Sequence, residues 1–386
     1  MTESRLRIAM VGSRGVPARH GGVETAVEEL SARLVARGHE VTVYCRHGDY
    51  PPHERPTRHR GISCRYLPSV TGKHSAALAH AGLATAAAVR SGADVIHYHA
   101  MGPTLFSPAA HLRRRTAVLA TVQGRDDQRA KWSPAAQRLL GAAAWTSTHV
   151  PDVTIAVSSE LRDELARDFG CDAVHLPNGI SAPSAPVNVA ERNRILAGFG
   201  LTAGGYLLNV GRLVPEKALD TALGAYREVT GTTPFVVAGD ASSIDPYLRS
   251  VKALVAADER LRLLGPVHGV ALDTLFRNAR AFVQVSRLEG LPLALLEAAS
   301  YGRPLLVSGI GPHLEVVDGP GPGRRIVALG DGPALVAALQ AAATEPPDQA
   351  GAAALGQSVL RRFDWEGITD TTVELYRSAL ARRQAS

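Results

Sequence analysis

The chain is poor in cysteine. Cys45, Cys64 and Cys171 are the only three in 386 residues, and they form no C-x-x-C pair. An odd, scattered set supports neither a disulfide framework nor a Cys-rich zinc module, and it suits a reducing cytosol. Long apolar runs are also missing. No stretch approaches the ~20 residues of a membrane span, and the apolar run in MTESRLRIAMVGSRG is too short for a signal peptide. Any membrane association is therefore expected to be peripheral. The chain has no Asp-x-Asp and no GxxxxGK[ST]. The first absence argues against a carboxylate pair holding a metal–diphosphate complex, and the second excludes a P-loop. No helix-turn-helix, zinc module or aromatic–basic interleaving is recognisable, so nucleic acid is not an expected partner.

What is present describes a globular chain. Hydrophobic residues make up 45% and charged residues 20%, which excludes a disordered chain, a collagen and an all-coil assembly. The length fits two domains of roughly 150 residues or more. The net charge of +6 sits in the first half: residues 1–185 hold 22 Lys/Arg against 16 Asp/Glu, and residues 186–386 hold 20 of each. Arg46, Arg55, Arg58, Arg60, Arg65 and Lys73 are opposed within their own stretch only by Asp49 and Glu54, and Arg113–Arg115 form a run. Such clusters face an anionic lipid surface, a phosphate-bearing acceptor or plain solvent.

Short β-rich runs alternate with Ala/Leu-rich helical stretches. Residues 7–11, 41–44, 95–98, 117–122 and 153–157 read as buried parallel strands. Val23, Ala26, Val27, Leu30 and Leu34 recur at helical spacing after the first of them, and Arg37-Gly38 supplies a stop. The pattern breaks at Pro177-Asn178-Gly179 and an aperiodic Ser/Pro/Ala segment. It restarts with strands at 206–210, 235–238, 261–264, 281–285 and 304–307. These periods predict two doubly wound, Rossmann-like α/β domains, 1–183 and 184–365, followed by an amphipathic helix from Trp365.

In such sheets ligands bind beyond the carboxyl ends of the strands, so the strand-to-helix loops carry the chemistry. Four stand out. The first runs from Gly12 to Gly22; its glycines let backbone amides approach an anion or simply satisfy a turn, and their order is not the G-x-G-x-x-G fingerprint. The second, Gly211 to Lys217, places Arg212 and Lys217 five apart, a spacing that can straddle a diphosphate. The third, Arg287 to Glu297, has Glu289 at a strand end and Glu297 eight residues on, within a Gly290-Leu291-Pro292-Leu293 helix start. Glu366 and Glu374 repeat that spacing without a glycine loop and are assigned nothing. The fourth is Gln123-Gly124-Arg125-Asp126, beside which His97 and His99 share a strand face without an evident third metal ligand.

Together these loops resemble the retaining nucleotide-sugar glycosyltransferases of glycosyltransferase family 4, which have the GT-B fold of two Rossmann-like domains facing across a cleft. The segments that carry the resemblance are GSRGVPARHGGVET with its flanks, PNGI, NVGRLVPEK and EGLPLALLEAASYG. The first is typical of a bacterial subgroup often found in polysaccharide or rhamnosyl transfer. The resemblance implies an N-terminal acceptor domain and a C-terminal donor domain, with the helix at about 366–386 crossing back onto the first.

It also implies roles. Gly21 and Gly22 would put amides near the donor diphosphate, and Arg212 and Lys217 would neutralise the leaving phosphate. Glu289, with Gly290 beside it, would bind the donor sugar and Glu297 the ribose, while amides of Leu291 and Leu293 assist at the phosphates. Backbone near Val267 would hold the nucleobase. No cofactor or metal is implied; the donor is a UDP-, GDP- or dTDP-sugar and the acceptor an unidentified hydroxyl on a glycan, a lipid-linked sugar or a natural product. Where the subgroup commonly has His, this chain has Gln123, which can exchange hydrogen bonds but cannot take a proton, although Arg129 to Trp132 rejoin the pattern. A GT-B epimerase or phosphorylase, or a non-catalytic sugar-nucleotide-binding protein, is the competing reading.

Overall fold

The computed structural model describes residues 4–19, 21–68, 75–125, 127, 134–240 and 246–385. His20, Lys73, Asp126 and Arg129 to Trp132 lie outside the described residues. The chain divides into two compact units, Met1–Gly179 with Trp365–Ser386, and Ile180–Asp364.

In the first unit the strands are β1 (Arg7–Val11), β2 (Glu40–Arg46), β3 (Arg58–His59), β4 (Ile62–Leu67), β5 (Val95–His99), β6 (Ala117–Val122), β7 (Val153–Ala156) and β8 (Val174–His175). Its helices up to the linker are α1 (Gly22–Ala36), α2 (Ser75–Ser91), α3 (Ser107–Ala110), α4 (Pro134–His149) and α5 (Ser159–Phe169). The sheet order is β3-β4-β2-β1-β5-β6-β7-β8, parallel except for the β3–β4 pair. Short β3, β4 and β8 were not legible as strands: β3 and β8 are two-residue edge segments, and in the interior strand β4 Ser63 and Arg65 interrupt the apolar run. Alternate residues of β1 point to opposite faces, so Ile8 and Met10 pack under α1 while Ala9 and Val11 meet Ala84 and Ala88 of α2.

The second unit contains α6 (Val189–Gly198), β9 (Leu207–Val210), α7 (Leu219–Tyr226), β10 (Phe235–Ala238), α8 (Pro246–Ala256), β11 (Leu261–Gly265) and α9 (Gly269–Asn278). It continues through β12 (Ala281–Gln284), α10 (Leu293–Ser300), β13 (Leu305–Ser308), α11 (Gly311–Val317), β14 (Arg324–Val327), α12 (Gly332–Thr344) and α13 (Gln349–Arg362). Its strands run in the order β11-β10-β9-β12-β13-β14 and are all parallel.

The last helix, α14 (Trp365–Ala385), lies on the first unit. Trp365 is 4% exposed and sits under the Arg33 guanidinium. Arg37 reaches Asp370 at 2.7 Å and Glu366 at 2.9 Å, and the Tyr376 hydroxyl meets His97 Nδ1 at 2.8 Å. The helix thus shares the apolar layer of α1 and reaches the carboxyl end of β5.

Both sheets reverse their winding once. The chain leaves β1 for β2 and later returns to β5 on its other side; it leaves β9 for β10 and returns to β12. The loops after β1 and β5, and after β9 and β12, therefore diverge from adjacent strands. At the first reversal the two loops are pressed together: Gly12 has φ +114°, and a Cβ there would lie 2.3 Å from the His99 carbonyl oxygen. Gly12→Ala is expected to cost at least about 2 kcal/mol through backbone strain and overpacking. Urea unfolding monitored by circular dichroism measures it, and an unchanged midpoint would contradict this account of the loop.

Candidate active site

At the reversal of the second sheet, the loop after β9 carries Lys217 and the loop after β12 carries Glu289. The Lys217 ammonium donates to both Glu289 carboxylate oxygens at 2.6 and 2.8 Å. The same carboxylate accepts from Gln284 Nε2 at 2.8 Å and Ser286 Oγ at 2.7 Å. The Glu289 side chain is 8% exposed and that of Lys217 22%. Burial alone would push the Glu289 carboxyl up, but the Lys217 ammonium and the neighbouring His313 ring outweigh it and hold the group far below the usual carboxylate range. A buried carboxylate kept ionised by one cation and two neutral donors is a ready acceptor for hydroxyl groups.

The two loops are also tied through backbone. The Arg287 amide donates to the Glu216 carbonyl at 2.8 Å, and its guanidinium donates to the Pro215 carbonyl and to Thr221 Oγ1. His313, at the start of α11, is fully buried; its Nδ1 meets Ser308 Oγ at 3.0 Å and its Nε2 lies 3.9 Å from Glu289. His313 Nε2 and Gln284 Oε1 are buried without hydrogen-bond partners among the described residues. Gln284, Ser286 and His313 were missed in the sequence. The one available signal was Gln284, a polar residue inside an otherwise apolar strand.

Arg212 is exposed on the loop that follows β9, ahead of the turn Pro215–Lys217. Gly290 is half-buried and Leu291 buried. Pro292 occupies the cap, so α10 opens at Leu293, one position later than a first-turn proline requires. Glu297 lies five residues into that helix, and its carboxyl makes no hydrogen bond among the described residues. Burial, and then the Asp273 carboxylate, push it up to about 7. Two glutamates eight residues apart are thus driven in opposite directions by their surroundings. Val267 is half-buried, in the loop between β11 and α9.

In the first unit, Gly21 caps α1 with φ 152°, and both Gly21 and Gly22 are exposed. Glu24, in the first turn, is folded back to accept from the Arg14 amide at 3.2 Å. Gln123 follows β6 and exchanges two hydrogen bonds with Asn178 of the PNGI segment, at 2.8 and 3.4 Å. With Thr121, His97, His99 and Thr372 it lines a cavity of about 20 Å³. Burial lowers His97 well below the ordinary imidazole value and His99 to about 3, so both are neutral at pH 7. His97 is held by Tyr376 and Thr121, and no third metal-binding side chain joins the pair among the described residues.

Family models match both units: Glycosyltransferase Family 4 over residues 20–182 and Glycosyl transferases group 1 over residues 204–345. The chain belongs to glycosyltransferase family 4. This glycosyltransferase is 28% identical to a glycogen synthase of Mycobacterium tuberculosis over 97% of its own length and 95% of that protein's. It is 26% identical to a GDP-mannose-dependent alpha-(1-6)-phosphatidylinositol monomannoside mannosyltransferase of the same species, over 78% and 80%. Among solved structures it resembles Anabaena Alr3699/HepE in complex with UDP and glucose, with a TM-score of 0.79, 16% identity and coverage of 97% and 100%. Sucrose-phosphate synthase from Thermosynechococcus elongatus gives 0.78, 22%, 98% and 100%. The fold of the glycosyltransferase is GT-B.

The raised Glu297 makes a signed prediction. A carboxyl that titrates higher in the native state than unfolded contributes stability below about pH 4.5, which is lost as pH rises through about 7. Glu297→Gln is expected to leave the ligand-free glycosyltransferase nearly unchanged at pH 5 and to stabilise it at pH 8 by on the order of 2 kcal/mol. Urea unfolding at the two pH values tests this, and an equal effect at both contradicts it.

Proposed function

We propose that the glycosyltransferase transfers a sugar, with retention of anomeric configuration, from a nucleoside diphosphate sugar to an acceptor hydroxyl. The observation that carries this reading is the ionised Glu289, buried at the reversal of the second sheet and paired with Lys217, with orphaned His313 Nε2 and Gln284 Oε1 beside it. In the ligand-free protein each ion satisfies the other. When a diphosphate arrives, Lys217 turns to the phosphate, with Arg212 as the second cation, and Glu289 exchanges its ammonium partner for donor-sugar hydroxyls. Glu297, carrying a proton near neutrality, is placed to bond the ribose, while Gly290, Leu291 and Leu293 present backbone to the phosphates. Backbone near Val267 holds the base.

The bond from the anomeric carbon to the phosphate oxygen breaks on the face where the acceptor oxygen bonds, and the acceptor proton passes to the leaving phosphate. No protein nucleophile takes part, which suits Glu289 as a positioning carboxylate. Leaving-group charge is met by Arg212 and Lys217. The Ile180–Asp364 unit is the donor domain and the first unit, with Gln123, is the acceptor domain, while Gly21 and Gly22 offer backbone amides to the donor diphosphate. The UDP and glucose bound to the Anabaena protein and the GDP-mannose used by the mycobacterial relative make UDP- and GDP-sugars the first donors to try, with dTDP-sugars third. The acceptor is assigned to bacterial cell-surface polysaccharide or natural-product chemistry. Three buried, unpaired cysteines accord with a cytoplasmic setting.

A thermal-shift series with uridine, guanosine and thymidine diphosphates and their sugars identifies the donor, since a ligand that binds only the native state raises its melting point. Lys217→Ala and Arg212→Ala should each abolish that shift; a shift of undiminished size removes them from the diphosphate site. Gln123→Ala should retain the donor shift and lower turnover at least about tenfold, as expected of a lost positioning contact. Unchanged release of nucleotide in the presence of acceptor would sink that role.

A further inference from the structure

The basic clusters of the first half do not survive folding as one surface. Arg46 is largely buried beside Asp49, Arg55 donates to His47 and to the Tyr50 carbonyl, and Arg60 is bound by Glu28 and Glu29 of α1. The opposite layer of the sheet behaves differently. Residues 75–151 contain eight Lys/Arg and three Asp/Glu, and α2, α3 and α4 contain no acidic residue at all. Of the three acids, Asp94 bonds Arg7, Asp127 bonds Arg125, and Asp126 is outside the described residues. Arg90, Arg113, Arg114, Arg115 and Arg138 are exposed and form no ion pair among the described residues.

The same layer exposes apolar side chains. Among the described residues of the first unit, the exposed large hydrophobics are Leu83 at 45%, Leu112 at 81%, Leu139 at 44% and Trp145 at 53%, and all four lie on α2, the segment after α3, or α4. These elements are continuous: Gly82 of α2 faces the Phe106 ring, Thr104 donates to the Ala143 carbonyl of α4, and the His111 ring meets the Val150 carbonyl at 2.7 Å. Beyond α4, the acids Glu160, Asp163, Glu164 and Asp168 of α5 bound the patch.

We propose that this acid-free layer seats the protein on an anionic bilayer, with Arg113–Arg115 at the phosphates and Leu112 and Trp145 in the interface. Unpaired cations alone would suit any polyanion. Leucine and tryptophan exposed among them suit a surface that offers negative charge and apolar depth together. The inference is independent of the sugar-transfer reading, because none of these side chains belongs to the site described above.

Vesicle co-sedimentation tests it, with pure phosphatidylcholine against phosphatidylcholine mixed with phosphatidylglycerol. Binding is expected only to the anionic vesicles and should be released by high salt. Each arginine near such a surface strengthens binding about fivefold, so a triple Arg113→Gln/Arg114→Gln/Arg115→Gln variant should bind about a hundredfold more weakly. Leu112→Ser/Trp145→Ser should lose at least about tenfold. On the unmodified chain, brominated lipid should quench Trp145 fluorescence, read as the difference from Trp145→Phe, which keeps the test open if the polar variants fold poorly. Absence of binding to anionic vesicles at low salt overturns the proposal, as does binding that both variants retain in full. Capture by heparin without vesicle binding overturns it in favour of a soluble polyanion.

Discussion

A parallel sheet wound with right-handed crossovers must reverse its winding to cover both faces, and the buried Lys217–Glu289 ion pair forms at one of those reversals. Between β9 and β12 the two strands are hydrogen-bonded neighbours, but their outgoing loops turn to opposite sides. Lys217 leaves from one and Glu289 from the other, separated by 72 residues of chain and joined at 2.6 Å. The corresponding place in the first sheet brings the Gly12 loop against the His99 carbonyl. There the constraint is steric, and it is met by a residue without a side chain.

Around the second reversal, electrostatics divides what composition treats alike. Glu289 is buried with a cation and two neutral donors, so it stays charged; Glu297 is buried near another carboxylate with no donor among the described residues, so it is driven toward the neutral form. The difference comes from neighbours contributed by the loop after β9, by β12 and its loop, by α9 and by α11, none of which is a neighbour of both glutamates in sequence. Two carboxyls of one residue type thus differ in ionisation because their surroundings differ.

Charge is partitioned on a larger scale in the first unit. The layer of α1 and α14 mixes signs and pairs them, as in Arg33 and Arg37 with Glu366 and Asp370. The layer of α2, α3 and α4 carries arginines without acids. Counting charges within the stretch from 46 to 73 misjudged which arginines are available. The carboxylates that neutralise Arg60 come from α1, some thirty residues earlier in the chain.

Periodicity and punctuation in the sequence were sufficient for the fold class. Ten strands announce themselves by short apolar runs, because a strand covered on both faces must be apolar along its whole length, and the partly buried edge strand β11 keeps the same pattern. The edge strands β3, β8 and β14 did not, since a strand of two to four residues with one open side needs no such run, and neither did interior β4, whose run is interrupted by Ser63 and Arg65. The loops that carry Lys217, Glu289, Glu297 and Gln123 were legible from position, at strand ends with glycine or proline nearby. Which of those loops meet was decided by tertiary structure alone. Strand order is a property of crossovers and not of local pattern, so nothing near residue 217 indicates residue 289, and nothing near Glu289 indicates His313. The states of those groups were settled there as well, because burial and the distance to a charge exist only once the sheet has formed.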